Sequence, residues 1–129
     1  MKRVKKMSEL TDLRTVANIH TLQWQILEQP GLPGEKVWWY NLSYDPMLGS
    51  GSYLYKMEPG TRSNPHEHAG PEEFFILEGE LIDSDGYTYK TGDFVSLAAG
   101  SRHKSISPSG CVIVVTHRGK VIDLEESDL

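Results

Sequence analysis

An all-β sandwich or barrel is the fold class this sequence predicts, on three observations. From residue 21 onward, short stretches rich in Trp, Tyr, Val, Ile and Phe alternate with Gly, Pro, Asn and Asp, the pattern of strands cut by turns. Seven or eight such stretches follow at close spacing, as in sandwiches and barrels. A chain of 129 residues, 38% apolar and 24% charged, suits one domain built on a single core.

Taken in order, residues 8–19 (SELTDLRTVANI) place Leu10, Leu13, Val16 and Ala17 at helical spacing, with Ser8 as N-cap, so a short helix is expected there. TLQWQIL (21–27) and KVWWYNL (36–42) read as strands around a turn-rich PGLPGE loop (30–35), and SYDPMLGSG (43–51) reads as a loop. SYLYKME (52–58) alternates, with Tyr53, Tyr55 and Met57 on one face and Lys56 and Glu58 on the other. EFFILEGEL (73–81) is a strand, and DSDG (83–86) turns it into YTYK (87–90) as a hairpin. DFVSLA (93–98) and CVIVVT (111–116) complete the set, and the acidic tail LEESDL is expected to fray. This divides the chain into a tail with a short helix (1–20) and one β-barrel domain (21–129).

Charge and cysteine content narrow the function classes. A net charge of −5 and a pI near 5.5 give no electrostatic attraction to a phosphate backbone, so no nucleic-acid partner is expected. Cys111 is the only cysteine, which leaves no internal disulfide and no Cys-rich zinc knot and fits a reducing, cytoplasmic setting. Lys2, Arg3, Lys5 and Lys6 have no apolar segment behind them, so they read as a solvated tail rather than a signal peptide or membrane contact. No apolar run approaches the roughly 18–20 residues of a membrane helix.

The chemistry concentrates in NPHEHAGPEEFFILEG (64–79). On a strand His66 and His68 share one face while Glu67 takes the other. A turn at Ala69-Gly70-Pro71 can swing Glu72 back toward them, and His103, after the tight turn at Ala99–Arg102, can add a third imidazole from a neighbouring strand. Three neutral imidazoles and a carboxylate form a nitrogen/oxygen set suited to divalent iron, manganese, nickel, cobalt or zinc. On an octahedral ion that set leaves positions open for water, dioxygen or a bidentate substrate. Cys111, His20 and His117 take plainer readings: Cys111 as core, the two histidines as surface or strand-edge residues. Trp38 and Trp39 point to opposite faces of their strand, one toward the core and one toward an interface.

The spacing resembles the cupin superfamily of RmlC-like barrels. Its first motif, G-x5-H-x-H-x3–4-E-x6-G, is met by Gly60, His66, His68, Glu72 and Gly79, and counting back from Gly79 selects Glu72 over Glu73. Its second, G-x5-P-x-G-x2-H-x3-N, is met at Gly92, Gly100 and His103, with Ala98 in place of proline and Ser107 in place of asparagine. The resemblance implies a jelly-roll double-stranded β-helix binding one divalent metal through His66, His68, Glu72 and His103. Residues 71–103, including Asp83, Gly86 and Tyr89, are similar to a subgroup of cupins. That subgroup holds the zinc-binding lobe of a bacterial anti-sigma factor and dioxygenase-like cupins acting on acetylacetone or dihydroxyacetophenone.

The resemblance implies, first, a dioxygenase-like oxidoreductase using one divalent metal, Fe(II) before zinc, manganese or nickel, on a small diketone or hydroxy-ketone. The catalytic role would fall to the metal centre itself. Tyr53, Tyr55 and Met57 would line an apolar pocket. Arg62 is a candidate to hold a carboxylate or enolate, against the plainer reading of a solvated loop residue. The runner-up is a metal-dependent ligand-binding or regulatory cupin without turnover. Too few residues precede the barrel for a separate sigma-binding domain, so a complete anti-sigma factor is not expected. An isomerase is a third reading, disfavoured because metal-independent sugar epimerases of this fold usually lack the full ligand set. A homodimer is implied both by the resemblance and by the tryptophan pair.

Overall fold

The computed structural model describes residues 9–129. The basic cluster at the N-terminus and Ser8 lie outside the described residues. One α-helix, α1 (Glu9–Leu13), precedes twelve strands: β1 (Gln25–Ile26), β2 (Val37–Asn41), β3 (Ser50–Met57), β4 (Thr61–Arg62), β5 (His66–His68), β6 (Glu72–Asp83), β7 (Thr88–Lys90), β8 (Phe94–Leu97), β9 (Arg102–His103), β10 (Ser105–Ser107), β11 (Cys111–Arg118) and β12 (Val121–Asp123). A 3-10 turn at Glu126–Asp128 ends the chain.

The all-β expectation holds: the strands form a curled antiparallel half-barrel after a short helix. Nine strands make one sheet, in the order β1-β2-β3-β11-β6-β10-β4 with β7 and β8 also on β6, and β12-β5-β9 make a second. Val37, Tyr55, Met57, Phe74, Ile76, Leu81, Tyr89, Cys111, Ile113 and Val115, all on the nine-stranded sheet, pack together as the core. As the alternation of 52–58 predicts, Tyr55 and Met57 face inward. Cys111 is core, as read from the sequence.

The long strand β6 organises the molecule. Its first half pairs with β11 and β8, its second half with β7 and β10. Between the halves the ladder with β11 slips, Val112 facing Glu78 and Ile113 facing Ile76. One extra residue in a strand reverses which parity points inward. The buried positions therefore run Glu72, Phe74, Ile76 and then Leu81, Asp83. Gly79 sits at this bend with φ of 81°, and a Cβ there would lie 2.0 Å from the Gly110 carbonyl oxygen.

Two N-terminal expectations are corrected. The helix stops at Leu13 instead of continuing to 19, and Leu13 and Val16 stay exposed. An apolar stripe with nothing to pack on cannot hold a short helix together. The strand expected over 21–27 shrinks to Gln25–Ile26 because Asn18 captures the chain into a turn. Its carbonyl accepts the Thr21 and Leu22 N–H groups and its side chain accepts the His20 N–H at 2.8 Å. Three short strands escape the sequence reading, β4, β10 and β12, whereas β5 and β9 are the strands expected to carry His66, His68 and His103. Among the described residues no helix is long and apolar enough to cross a membrane.

Candidate metal centre

The small sheet supplies the histidines. His66 and His68 alternate to the same face of β5, and His66 pairs in register with His103 on β9. Glu72 comes from the other sheet, at the first residue of β6. The turn at Ala69-Gly70-Pro71 carries it there, and Gly70 is required because a Cβ would meet the Arg118 carbonyl oxygen at 2.0 Å. One ligand atom from each of His66, His68, Glu72 and His103 lies within 4.8 Å of the others. The three imidazole rings form a near-equilateral triangle, with centroids 4.9, 4.6 and 4.9 Å apart. Glu72 is buried, whereas Glu73 turns outward and accepts from the Arg118 guanidinium at 3.0 Å.

Each ring is held by its Nδ1. His66 Nδ1 donates to the Asn64 carbonyl at 2.7 Å and His103 Nδ1 to Asp83 Oδ1 and Oδ2 at 2.8 and 3.0 Å, while His68 Nδ1 shares a hydrogen bond with Ser101 Oγ at 2.9 Å. Tyr89 donates to the same carboxylate at 2.6 Å. A proton fixed on Nδ1 leaves a lone pair on Nε2, and this is the tautomer metal-ligating histidines adopt. The buried Nε2 atoms of His68 and His103 have no hydrogen-bond partner. Glu72 Oε2 comes within 2.7 Å of His68 Nε2, but the approach lacks hydrogen-bond geometry. Two adjacent ligands about 2.1 Å from one ion stand roughly 3 Å apart. Orphaned buried acceptors beside a carboxylate at that spacing fit a divalent cation.

The electrostatics follow from burial and these partners. Burial, aided by the neighbouring His103, pushes the His66 imidazole down to about 4. Burial would also lower His103, but the Asp83 hydrogen bond and charge outweigh it and raise the group. Burial alone would raise Glu72 and Asp83; the close imidazoles of His68 and of His103, respectively, bring both below their ordinary values.

The cluster opens into a cavity of about 240 Å³. His66, Glu72 and His103 reach it beside the apolar side chains of Leu27, Phe74, Leu81, Ile113 and Val115. Tyr53 and Tyr55 line it; Met57 lies in the core away from it. Arg62 does not reach it: its side chain is more than half exposed and pairs with Glu35. Among the described residues no lysine or arginine lines the cavity.

Four contributors were not read from the sequence as site residues. Gln29 crosses the mouth, donating to the Arg62 carbonyl at 2.8 Å and accepting from the Asn64 N–H and the Tyr55 hydroxyl. Asp83 and Ser101 sit within motif-like segments, but their contacts need the folded chain. His117, read as a surface or strand-edge residue, is 2% exposed. It stands in register with Glu72, and burial lowers its imidazole. Extending the 111–113–115 inward alternation by one step would have found it. Ser107, in the place of the usual asparagine, is fully buried and donates to the Glu80 carbonyl at 2.6 Å. His20 is exposed, as expected.

A curled jelly-roll barrel with three imidazoles and a carboxylate converging at its mouth defines the cupin class. Within it, a family model described as the ChrR cupin-like domain matches residues 12–121, and the chain belongs to that family. No curated protein matches the sequence. Among solved structures, a protein of Methylibium petroleiphilum PM1, provisionally assigned as an acetylacetone dioxygenase, superposes with a TM-score of 0.76 at 19% identity, over 98% of this chain and 88% of that one. An acetylacetone dioxygenase from Acinetobacter johnsonii gives 0.73 at 18% identity, over 98% and 87%. The Rhodobacter sphaeroides complex of SigE with the anti-sigma ChrR gives 0.60 at 15% identity, over 78% of this chain and 50% of that one. At these identities the likeness shows the fold.

Proposed function

We propose that His66, His68, Glu72 and His103 hold one divalent metal, Fe(II) first, and that the chain is a dioxygenase-like enzyme acting on a small diketone or hydroxy-ketone. One observation carries this reading: a buried cluster with unpartnered imidazole nitrogens on His68 and His103 adjoins a mainly apolar cavity lined by His66, Glu72 and His103. A bound iron would supply Lewis acidity and one-electron redox chemistry with dioxygen. The chain supplies the rest. Leu27, Phe74, Leu81, Ile113 and Val115 exclude water and hold the apolar body of a substrate, orienting its oxygens toward the cluster. The hydroxyls of Tyr53 and Tyr55 are engaged by His117 and Gln29. They shape the wall and are not free to transfer protons. The described lining residues include no lysine or arginine, which favours an uncharged ligand over a carboxylate.

The test is oxygen uptake after anaerobic Fe(II) loading, with simple diketones and hydroxy-ketones. Substrate-dependent consumption supports the reading. Tightly held zinc, with no uptake after iron loading, would sink it and favour a metal-dependent ligand-binding or regulatory module, the reading supported by the family match and the likeness to ChrR. The proposal extends to a homodimer in the cytoplasm. It is supported by the open edge at β1, where Gln25 and Ile26 are exposed, and by a lone thiol; a monomer on light scattering at micromolar concentration would remove the dimer.

A further inference from the structure

Beside Glu72, with its ring 5.8 Å from that of His68 and lining the same cavity, His117 belongs to a buried polar chain that the ligand set does not use. His117 Nδ1 stands 3.5 Å from Glu72 Oε2, and His117 Nε2 lies 2.8 Å from the Tyr53 hydroxyl. Tyr53 itself lines the cavity. The same Oε2 that approaches His68 thus also has His117 beside it.

Resting on the metal reading above, we propose that His117 is the positioning residue for Glu72, presenting the carboxylate to the metal through Nδ1–H, with Tyr53 fixing that tautomer. Proton arithmetic gives the direction. A carboxylate only accepts, a neutral imidazole has one donor and one acceptor, and a phenol can do either. Tyr53 alone would therefore leave the tautomer open. Glu72 closes the choice: a bare Nδ1 would set its lone pair against carboxylate lone pairs in a buried, low-dielectric place. With the proton on Nδ1, Nε2 is the acceptor and the Tyr53 hydroxyl donates to it. The Tyr53–His117 link is a hydrogen bond at 2.8 Å, whereas His117 Nδ1 meets Glu72 at 3.5 Å, an electrostatic contact at the outer limit of hydrogen bonding.

The in-register pairing of His117 with Glu72 across β11 and β6 makes the contact part of the ladder. Loss of such a supporting partner weakens metal binding by about 10- to 100-fold. The arrangement also joins a cavity-lining hydroxyl to a ligand, so a molecule that engages Tyr53 would act on how Glu72 is held.

The test uses metal affinity, read apart from turnover. Chelator-stripped protein is titrated with Co(II), followed by its visible absorption, and with Zn(II) against a competing chelator. An asparagine amide nitrogen falls near the imidazole Nδ1, and a glutamine amide nitrogen near Nε2. His117→Asn keeps the donor toward Glu72; His117→Gln keeps only the link to Tyr53; His117→Phe keeps neither. The expected order is wild type, then His117→Asn within a few-fold, then His117→Gln and His117→Phe weaker by about 10- to 100-fold. Tyr53→Phe should fall between wild type and His117→Phe. Equal affinity of wild type and His117→Phe, or a His117→Gln as tight as His117→Asn, overturns the proposal. If His117→Phe does not fold, the comparison of the Asn and Gln variants decides alone. A wild type that takes neither Co(II) nor Zn(II) overturns the metal reading and this inference together, whereas wild-type binding with unmoved variants overturns this inference only.

Discussion

At the residue scale the cluster sets a pH dependence whose sign can be worked out. In the metal-free fold, burial and His103 push His66 down to about 4 from its ordinary 6.5. Below 6.5 the unfolded chain therefore takes up a proton that the folded one refuses. Stability falls as pH drops from about 6.5 to about 4, where the loss is complete. His117, also lowered by burial, acts in the same direction. His103 opposes them: Asp83 raises it against its burial, so its contribution is present below the unfolded value and fades as pH rises through the folded one. Glu72 and Asp83 are depressed, so their contributions are lost only as pH falls below the ordinary carboxylate range, under the window in question. Denaturant midpoints of metal-free protein should fall between about pH 7 and about pH 5, and the fall should shrink in His66→Gln. An equal fall in both proteins would show that His66 is not the group responsible.

At the scale of elements, the bend in β6 decides what faces the site. Gly79 combines a left-handed φ of 81° with a Cβ position 2.0 Å from the Gly110 carbonyl oxygen, whereas Gly86, at φ 89°, has open space around its Cβ. Gly86→Ala should cost about 1–2 kcal/mol from backbone strain alone. Gly79→Ala should cost about 3 kcal/mol or more, because strain and backbone collision add. Equal costs in a denaturation experiment would mean that the ladder slip absorbs the clash. The same bend marks the limit of what could be read from residues. Spacing from Gly60 to Gly79 and from Gly92 to His103 brought the four clustered side chains into view, because strand alternation and turn glycines are local. Asp83 supports His103 only because the slipped register near Gly79 reverses parity, and period-two counting cannot foresee that. Ser101 meets His68 and His117 meets Glu72 through pairings between strands distant in sequence. Local reading failed at residues 14–24 for the opposite reason: the helical and strand patterns there were real but had no partner surface, and the Asn18 turn took over.

At the scale of the whole molecule, the cluster joins the two sheets. His66, His68 and His103 stand on β5 and β9 of the three-stranded sheet, Glu72 on β6 of the nine-stranded one. The two sheets differ in what holds them. β11 lies between β3 and β6 along eight and seven paired residues, and its inward side chains are core. The small sheet has short ladders, β5 with β12 over three pairs and with β9 over two, and its inward side chains are the histidines together with Val121 and Asp123 at the cavity. Without a cation those polar groups face one another across a cavity, and little apolar contact replaces the missing attraction. A bound ion would stabilise the fold by RT ln(1 + [M]/Kd), about 2.7 kcal/mol at a hundredfold excess over Kd, and would act first on the sheet that carries most of its ligands. Chelation should therefore lower the melting temperature and raise amide hydrogen exchange selectively. β5, β9 and β12 should lose protection while β3, β11 and the first half of β6 keep theirs. Uniform deprotection of both sheets would mean that they unfold as one cooperative unit and that the cluster is not the local clasp of the smaller one. No change on chelation, in protein shown to carry metal beforehand, would mean that the ion binds elsewhere.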